Sequence, residues 1–181
     1  MIGAYSRAMR PRQTLSRDPL PSLWLLTDAR NDAVLGRALA RLPRGSGLVF
    51  RHYHLPPAER RARFAQVRRL CRAHGHIAVL AGEARWPADG HYGRKIMGRL
   101  WLATAHSARE IARANLRGAD AVLLSPVFPT RSHPGAATLG PVRFRLLARL
   151  SAVPVVALGG MDRGRALALR WPCWAAIDGL S

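Results

Sequence analysis

The chain has 181 residues, a size suited to one domain, and its apolar fraction of 49% is enough for a full core. Lysine plus arginine outnumber aspartate plus glutamate by 29 to 10, for a net charge of +19 and a pI of about 11.9, which points to an anionic ligand or partner. No apolar run approaches the ~20 residues of a membrane-spanning helix, and the cysteines offer neither a disulfide framework nor metal-ligand spacing.

In chain order, residues 1–22 contain Arg and Ser without a continuous apolar core, and read as a disordered extension rather than a secretory signal. The folded domain is expected over 23–181. Residues 23–27 (LWLLT) form a first strand. Asp32 is placed to cap a helix running to about Leu42, ended by Pro43 and the Gly45-Ser46-Gly47 turn. A second strand covers 48–51, with Arg51 at its end. A long basic helix follows from about Pro57 to His74, stopped by Gly75. Residues 77–81 are a third strand. Residues 82–99 then carry Gly82, Pro87, Gly90, Gly93 and Gly98 with no periodic apolar face. A full crossover helix does not fit there, so only a short fourth strand is expected, at 90–92.

Regular order resumes with a strand at 100–103. Ser107 and Glu110 have the spacing of a capping box, and the helix they open ends near Gly118. Residues 121–125 are the next strand. A long loop, 126–140, leads to a helix opened by Pro141 and ending near Leu150. Strand 153–158 precedes Gly159-Gly160, Asp162 caps a helix to about Arg170, and a last strand covers 174–177. Strands alternating with helices in this way are parallel βα units. The fold class is α/β: a shortened (β/α)8 TIM-type barrel, because a complete one takes ~200–250 residues. Its helices are reduced after strands 3 and 4, and no closing C-terminal helix is expected.

In such a barrel the loops after the strands share one rim and build the site. Gly159-Gly160 follows a strand and opens a helix, which lets backbone N–H groups approach a phosphate. Residues 128–135 (FPTRSHPG) put the hydroxyls of Thr130 and Ser132 on alternate positions beside Arg131 and His133, in a loop stiffened by two prolines. Both features suit an anionic small ligand. Arginines are scattered over every helix, Lys95 is the single lysine, and no basic strip is interleaved with aromatics. That distribution argues against nucleic acid as the partner. Cys71 and Cys173 are expected as free thiols in a reducing compartment, the cytoplasm.

Three segments, LWLATAHS (100–107), GADAVLLSPVFPTRSHPGAATLG (118–140) and VPVVALGGM (153–161), resemble the thiamine phosphate synthase family, which also contains the thiazole tautomerases. LWLLTD (23–28) is similar to that family's first strand. The resemblance is dense over 100–161 and thin over 44–99. It implies a barrel that joins a pyrimidine diphosphate to a thiazole phosphate and releases pyrophosphate with the help of Mg2+. By motif position it assigns Arg51, Thr104 and His133 to catalysis at the pyrophosphate. It gives the thiazole phosphate to Thr130, Ser132, Gly159 and Gly160, with backbone N–H groups near Asp178 and Gly179.

Departures from the family pattern are concentrated on the metal side. After strand 2 the family carries Gln, Arg, Glu or Asp, and Lys; here VFRHY keeps only Arg51, with Val49 and Tyr53 at the Gln and Lys positions. The family's Asn-Asp pair after strand 3 is replaced by AGEAR, which offers Glu83 as the one candidate metal ligand; Asp89 is poorly placed as a later one. His133 stands for the loop lysine, and Pro126 for the tautomerase histidine; His106, shared with the family motif, is given a structural role at its turn. Two readings follow. One is a thiamine phosphate synthase. The alternative is a catalytically degenerate phosphate-binding barrel, a sensor, carrier or accessory protein, without the Mg-pyrophosphate half of the site. Missing helices are expected to bare apolar surface, which a homodimer or another partner would cover.

Overall fold

The computed structural model describes residues 19–131, 135–178 and 180. Eight parallel strands close into a barrel in sequence order: β1 (Leu23–Leu26), β2 (Gly47–Phe50), β3 (Ile77–Ala81), β4 (Gly90–Tyr92), β5 (Leu100–Ala105), β6 (Ala121–Leu124), β7 (Val155–Ala157) and β8 (Trp174–Ala176). Five helices lie outside it: α1 (Leu35–Arg41), α2 (Pro57–Ala73), α3 (Ala108–Leu116), α4 (Gly140–Ala148) and α5 (Arg163–Leu169). Among the described residues no helix lies between β3 and β4 or between β4 and β5, as the thin pattern of 82–99 predicts.

Side-chain alternation splits the apolar residues into two shells. Trp24, Leu26, Val49, Val79, Leu102, Leu123, Val156 and Ala175 fill the barrel interior. Their neighbours face outward, where Leu35, Leu39, Phe64 and Val67 pack on β1–β3, and Ile111, Phe144 and Leu169 pack on β5–β7. Burying one such side chain contributes roughly 1.5–3 kcal/mol. The floor is shut by Trp24. A Cβ on Gly47 would stand 2.2 Å from its ring, so the strand opposite the indole has no side chain to spare. At the other end, the C-terminal mouth, the barrel is open to a cavity.

Where crossover helices are missing, residues 84–99 cover the barrel themselves. Ala88 is buried, and Ala84 and Trp86 pack on the cluster around Phe64. Lys95 and Arg117 lie over the Trp101 ring at 5.6 and 5.3 Å. The expectation of bared apolar surface at this place is therefore corrected, Met97 excepted. Large apolar side chains are exposed instead along α4 and just beyond it, at Val142, Leu146 and Leu150, spaced i, i+4, i+8.

Asp32 is a second correction. It does not cap α1 through its side chain; a 3-10 turn over Asp32–Val34 precedes that helix, and the carboxylate turns away to His52 and Arg63. Ser107 does cap α3, accepting from the Glu110 N–H at 3.3 Å, while the Glu110 carboxylate accepts from the N–H of His106 at 2.6 Å. Closure between β1 and β8 is reinforced by Asn31, which is buried and donates to the Leu26 and Ile177 carbonyls at 2.9 and 3.1 Å.

Candidate functional site at the barrel mouth

The mouth holds a cavity of about 890 Å³ whose walls come from six strand ends. Arg51 and Tyr53 enter after β2, Tyr92 from β4 and His106 after β5. Ser125, Thr130 and Arg131 follow β6. Leu158 to Asp162 follow β7, and Ile177 and Asp178 follow β8. The cavity therefore has a basic and aromatic side at Arg51, Tyr53 and Tyr92. Opposite lies a side of loop backbone, hydroxyl and arginine.

Arg51 is held by its main chain. Its N–H donates to Thr27 Oγ1 at 3.0 Å, and its carbonyl accepts from Arg60 Nε at 2.9 Å. Arg60 is buried in α2, yet among the described residues no carboxylate pairs with it. It also donates to the Ala81 carbonyl at 2.6 Å and lies 5.2 to 5.8 Å from the rings of Tyr53, Trp86 and Phe50. Burial pulls its pKa below the ordinary arginine value. Arg60 thus satisfies the ends of β2 and β3 together. Beside Arg51, burial pushes the Tyr92 hydroxyl up to about 12, so it stays neutral and able to donate.

On the opposite wall, the glycine pair is demanded by packing. Gly159 has φ +94° and Gly160 φ +61°. A Cβ on Gly159 would stand 2.6 Å from Pro126 Cα, and one on Gly160 2.3 Å from the Pro129 carbonyl oxygen. The SPVFPT loop lies directly on this turn. Its N–H groups at Val127 and Phe128 donate to Leu158 and Gly159 at 2.9 and 3.0 Å, and the Ser125–Pro126 peptide is cis. Asp162 caps α5 by accepting from the Arg165 N–H at 2.8 Å. The Arg165 guanidinium donates to the Gly160 carbonyl and lies 5.2 Å from the Phe128 ring. Arg165 is a wall residue that helix periodicity alone did not single out.

The remaining expected residues are distributed as follows. Thr130 lines the cavity. Ser132, His133 and Gly179 lie outside the described residues. Thr104 sits on the inward-facing register of β5 with Leu102, half-buried near the C-terminal end of that strand. Asp178 lines the cavity, and its carboxylate pairs with Arg30 at 3.0 Å. His106, expected to shape its turn, does so, with Nδ1 donating to the Ser125 carbonyl at 2.7 Å, and it also lines the cavity.

Comparison with known proteins follows the same division. The profile of the TMP-TENI family, thiamine monophosphate synthase, matches residues 91–171, from β4 to the end of α5. The thiamine-phosphate synthase of Chromobacterium violaceum is 34% identical over 175 residues, covering 86% of this chain and 83% of that protein. The chain belongs to the thiamine-phosphate synthase family. The bifunctional thiamine biosynthesis protein ThiM/ThiE of Symbiobacterium thermophilum is 36% identical over 91% of this chain, which spans 40% of that relative's length. The solved structure of thiamine phosphate pyrophosphorylase from Pyrococcus furiosus shares the fold, with a TM-score of 0.73 over 87% of this chain and 85% of that one at 22% identity. The span matched by the family profile holds the SPVFPT loop and the Gly159-Gly160 turn, and Arg51 lies outside it.

The family's Mg2+ would need several oxygen ligands. Among the described residues, no three His, Cys, Asp or Glu side chains come together as a metal site. Glu83 is exposed and does not line the cavity. Asp89 accepts from the Ala78 N–H at 2.8 Å and pairs with Arg68 at 3.3 Å, at the N-terminal end of the barrel. The two carboxylates on the wall, Asp162 and Asp178, are engaged by α5 and Arg30. The described side chains do not fit Mg2+.

Proposed function

We propose that this chain is a thiamine phosphate synthase, joining a pyrimidine diphosphate to a thiazole phosphate with release of pyrophosphate. The observation that carries the reading is the two-sided cavity: Arg51 stands on one wall, and Thr130, Arg131 and the Gly159-Gly160 turn on the other. Each of the two substrates brings its own anionic group, and each wall supplies a place for one. In the coupling, the bond from the pyrimidine methylene to the diphosphate oxygen breaks and pyrophosphate leaves with the electron pair. The thiazole nitrogen then donates its lone pair to that carbon. Arg51 would meet the charge that develops on pyrophosphate, a contribution that grows as the bond breaks. Thr104 and His133 are the further residues assigned to that side. Thr130, Ser132, the glycine turn and the 178–179 backbone are assigned to the thiazole phosphate. Two free thiols, one buried and one half-buried, fit a cytoplasmic setting. No helix among the described residues is long and apolar enough to cross a membrane.

The test is a coupling assay with both substrates, with and without Mg2+, reading thiamine phosphate. We expect product, and a loss of about 100-fold or more in kcat/KM in Arg51→Ala. No product from folded protein under either condition would overturn the synthase reading. Retained binding of the thiazole phosphate would then leave a phosphate-binding barrel without catalysis.

A further inference from the structure

Below Arg51 lies a buried polar chain that the family resemblance does not assign. Thr27 and His52 are both fully buried. Thr27 Oγ1 is 2.7 Å from His52 Nδ1, and His52 Nε2 is 2.8 Å from Asp32 Oδ1. Arg63 closes the chain, donating to the same carboxylate oxygen through Nε at 2.8 Å and Nη2 at 2.7 Å. His52 has φ +33°, in the left-handed region, where non-glycine residues are uncommon. Its ring is clamped against Phe50 at 4.4 Å with the planes 7° apart. A strained backbone and a stacked ring together hold one imidazole orientation.

The direction of every hydrogen bond follows from the ends. Ionised Asp32 only accepts, so His52 Nε2 carries the proton and donates to it. In the neutral ring Nδ1 is then an acceptor, and the Thr27 hydroxyl must donate to it. That leaves the Thr27 oxygen lone pairs for one donor, the N–H of Arg51 at 3.0 Å. On the other side of the residue, the Arg51 carbonyl is fixed by Arg60. We propose that His52 is a positioning residue: acting through Thr27, it sets the main chain from which Arg51 reaches the cavity, in register with the anionic group of a diphosphate substrate. This rests on the synthase reading for the identity of that anion. An error of about 1 Å in such a group costs on the order of 100-fold in rate.

The arrangement is also sensitive to protonation. A second proton on His52 would turn Nδ1 into a donor and leave the buried Thr27 hydroxyl hydrogen without its acceptor. The groups facing the ring are Thr27 and Asp32 from the β1–α1 segment, Arg63 from α2 and His54 from its own loop. Burial, the largest influence, holds the imidazole below the ordinary histidine value against the pull of Asp32, and His54 and Arg63 push the same way as burial. The chain of bonds is therefore intact above that depressed value and lost as pH falls through it, at some point below about 6.5.

The experiment compares wild type, Thr27→Val, Thr27→Ser and His52→Asn, using inorganic pyrophosphate as the binding probe and the coupling reaction as the kinetic one. Thr27→Val should weaken pyrophosphate and raise KM for the pyrimidine diphosphate by about tenfold, the effect of one lost hydrogen bond, leaving KM for the thiazole phosphate unchanged. Thr27→Ser, which keeps the hydroxyl, should restore both. Wild-type affinity should fall at acid pH, and His52→Asn, whose side-chain oxygen can replace Nδ1 as acceptor, should lack that fall. Nitrogen NMR of the imidazole should show the Nε2–H form, and the Arg51 amide resonance should move as His52 titrates. Equal behaviour of Thr27→Val and Thr27→Ser, or an Nδ1–H ring, would overturn the proposal. A wild type that binds no pyrophosphate would overturn the anion reading instead. The Arg51 resonance would then decide the relay by itself, upholding it if it follows the imidazole and overturning it if it stays still.

Discussion

Gly160 and Gly36 show how one residue type carries opposite consequences. At Gly160 the backbone is left-handed and the Pro129 oxygen occupies the place of a Cβ, so alanine meets both backbone strain and a clash with main chain that cannot step aside. At Gly36, inside α1, nothing lies within 4 Å of a new Cβ. Gly160→Ala should destabilise by about 1–3 kcal/mol or more. Gly36→Ala should stabilise by about 0.5–1 kcal/mol through the unfolded chain and helix propensity. Urea denaturation midpoints check both signs, and a neutral Gly160→Ala would mean that the SPVFPT loop can move off the turn. From the sequence, the Gly-Gly pair is expected to serve a phosphate. That the nearer cause of the glycines is a loop packed on them is visible only once 125–131 and 158–160 are adjacent.

Among the elements, α2 does more than cover β2 and β3. Its stripe of Phe64, Val67 and Cys71 makes the usual apolar contact, while Arg60, on the same buried side, replaces apolar packing with donors to strand ends. A basic residue in a helix as arginine-rich as this one reads as solvated surface, which is why periodicity passed over it. Arg60→Met keeps much of the stem and removes the donors, leaving the Arg51 and Ala81 carbonyls short of partners. The expected cost is about 1–3 kcal/mol for each buried group left unsatisfied, read as a lower thermal midpoint. Arg60→Lys should recover only part of it, because an ammonium cannot fork between two carbonyls. A midpoint unchanged in Arg60→Met would show that water replaces the guanidinium.

For the whole molecule the governing quantity is +19. That net already counts all 10 acidic residues, and two of their carboxylates, Asp178 and Asp32, are engaged in the barrel rim and the His52 chain. Self-repulsion of this size destabilises the compact state and is screened within about 10 Å at 0.1 M salt. Thermal midpoints should therefore rise from low salt to moderate salt. A midpoint that falls instead would show that the ion pairs outweigh the repulsion. The same surplus charge makes the mouth attractive to phosphates, so ligand binding should weaken with salt in step with that screening.

The sequence by itself determined the order of strands and helices, the direction of the strands, the absence of room for crossover helices over 82–99, and the rim on which a site would form. These are legible because they rest on local periodicity, caps and turns, each written within a few residues. Only the tertiary structure decided which side chains meet. Asp32 turned from a helix cap to a partner of His52 and Arg63, 20 and 31 positions away, and Arg30 reached Asp178 across 148. It also placed Asp89 at the end opposite the cavity and Glu83 outside its wall, which leaves the described residues without a carboxylate cluster for a metal. Such meetings depend on barrel closure and strand register, and no local pattern encodes them.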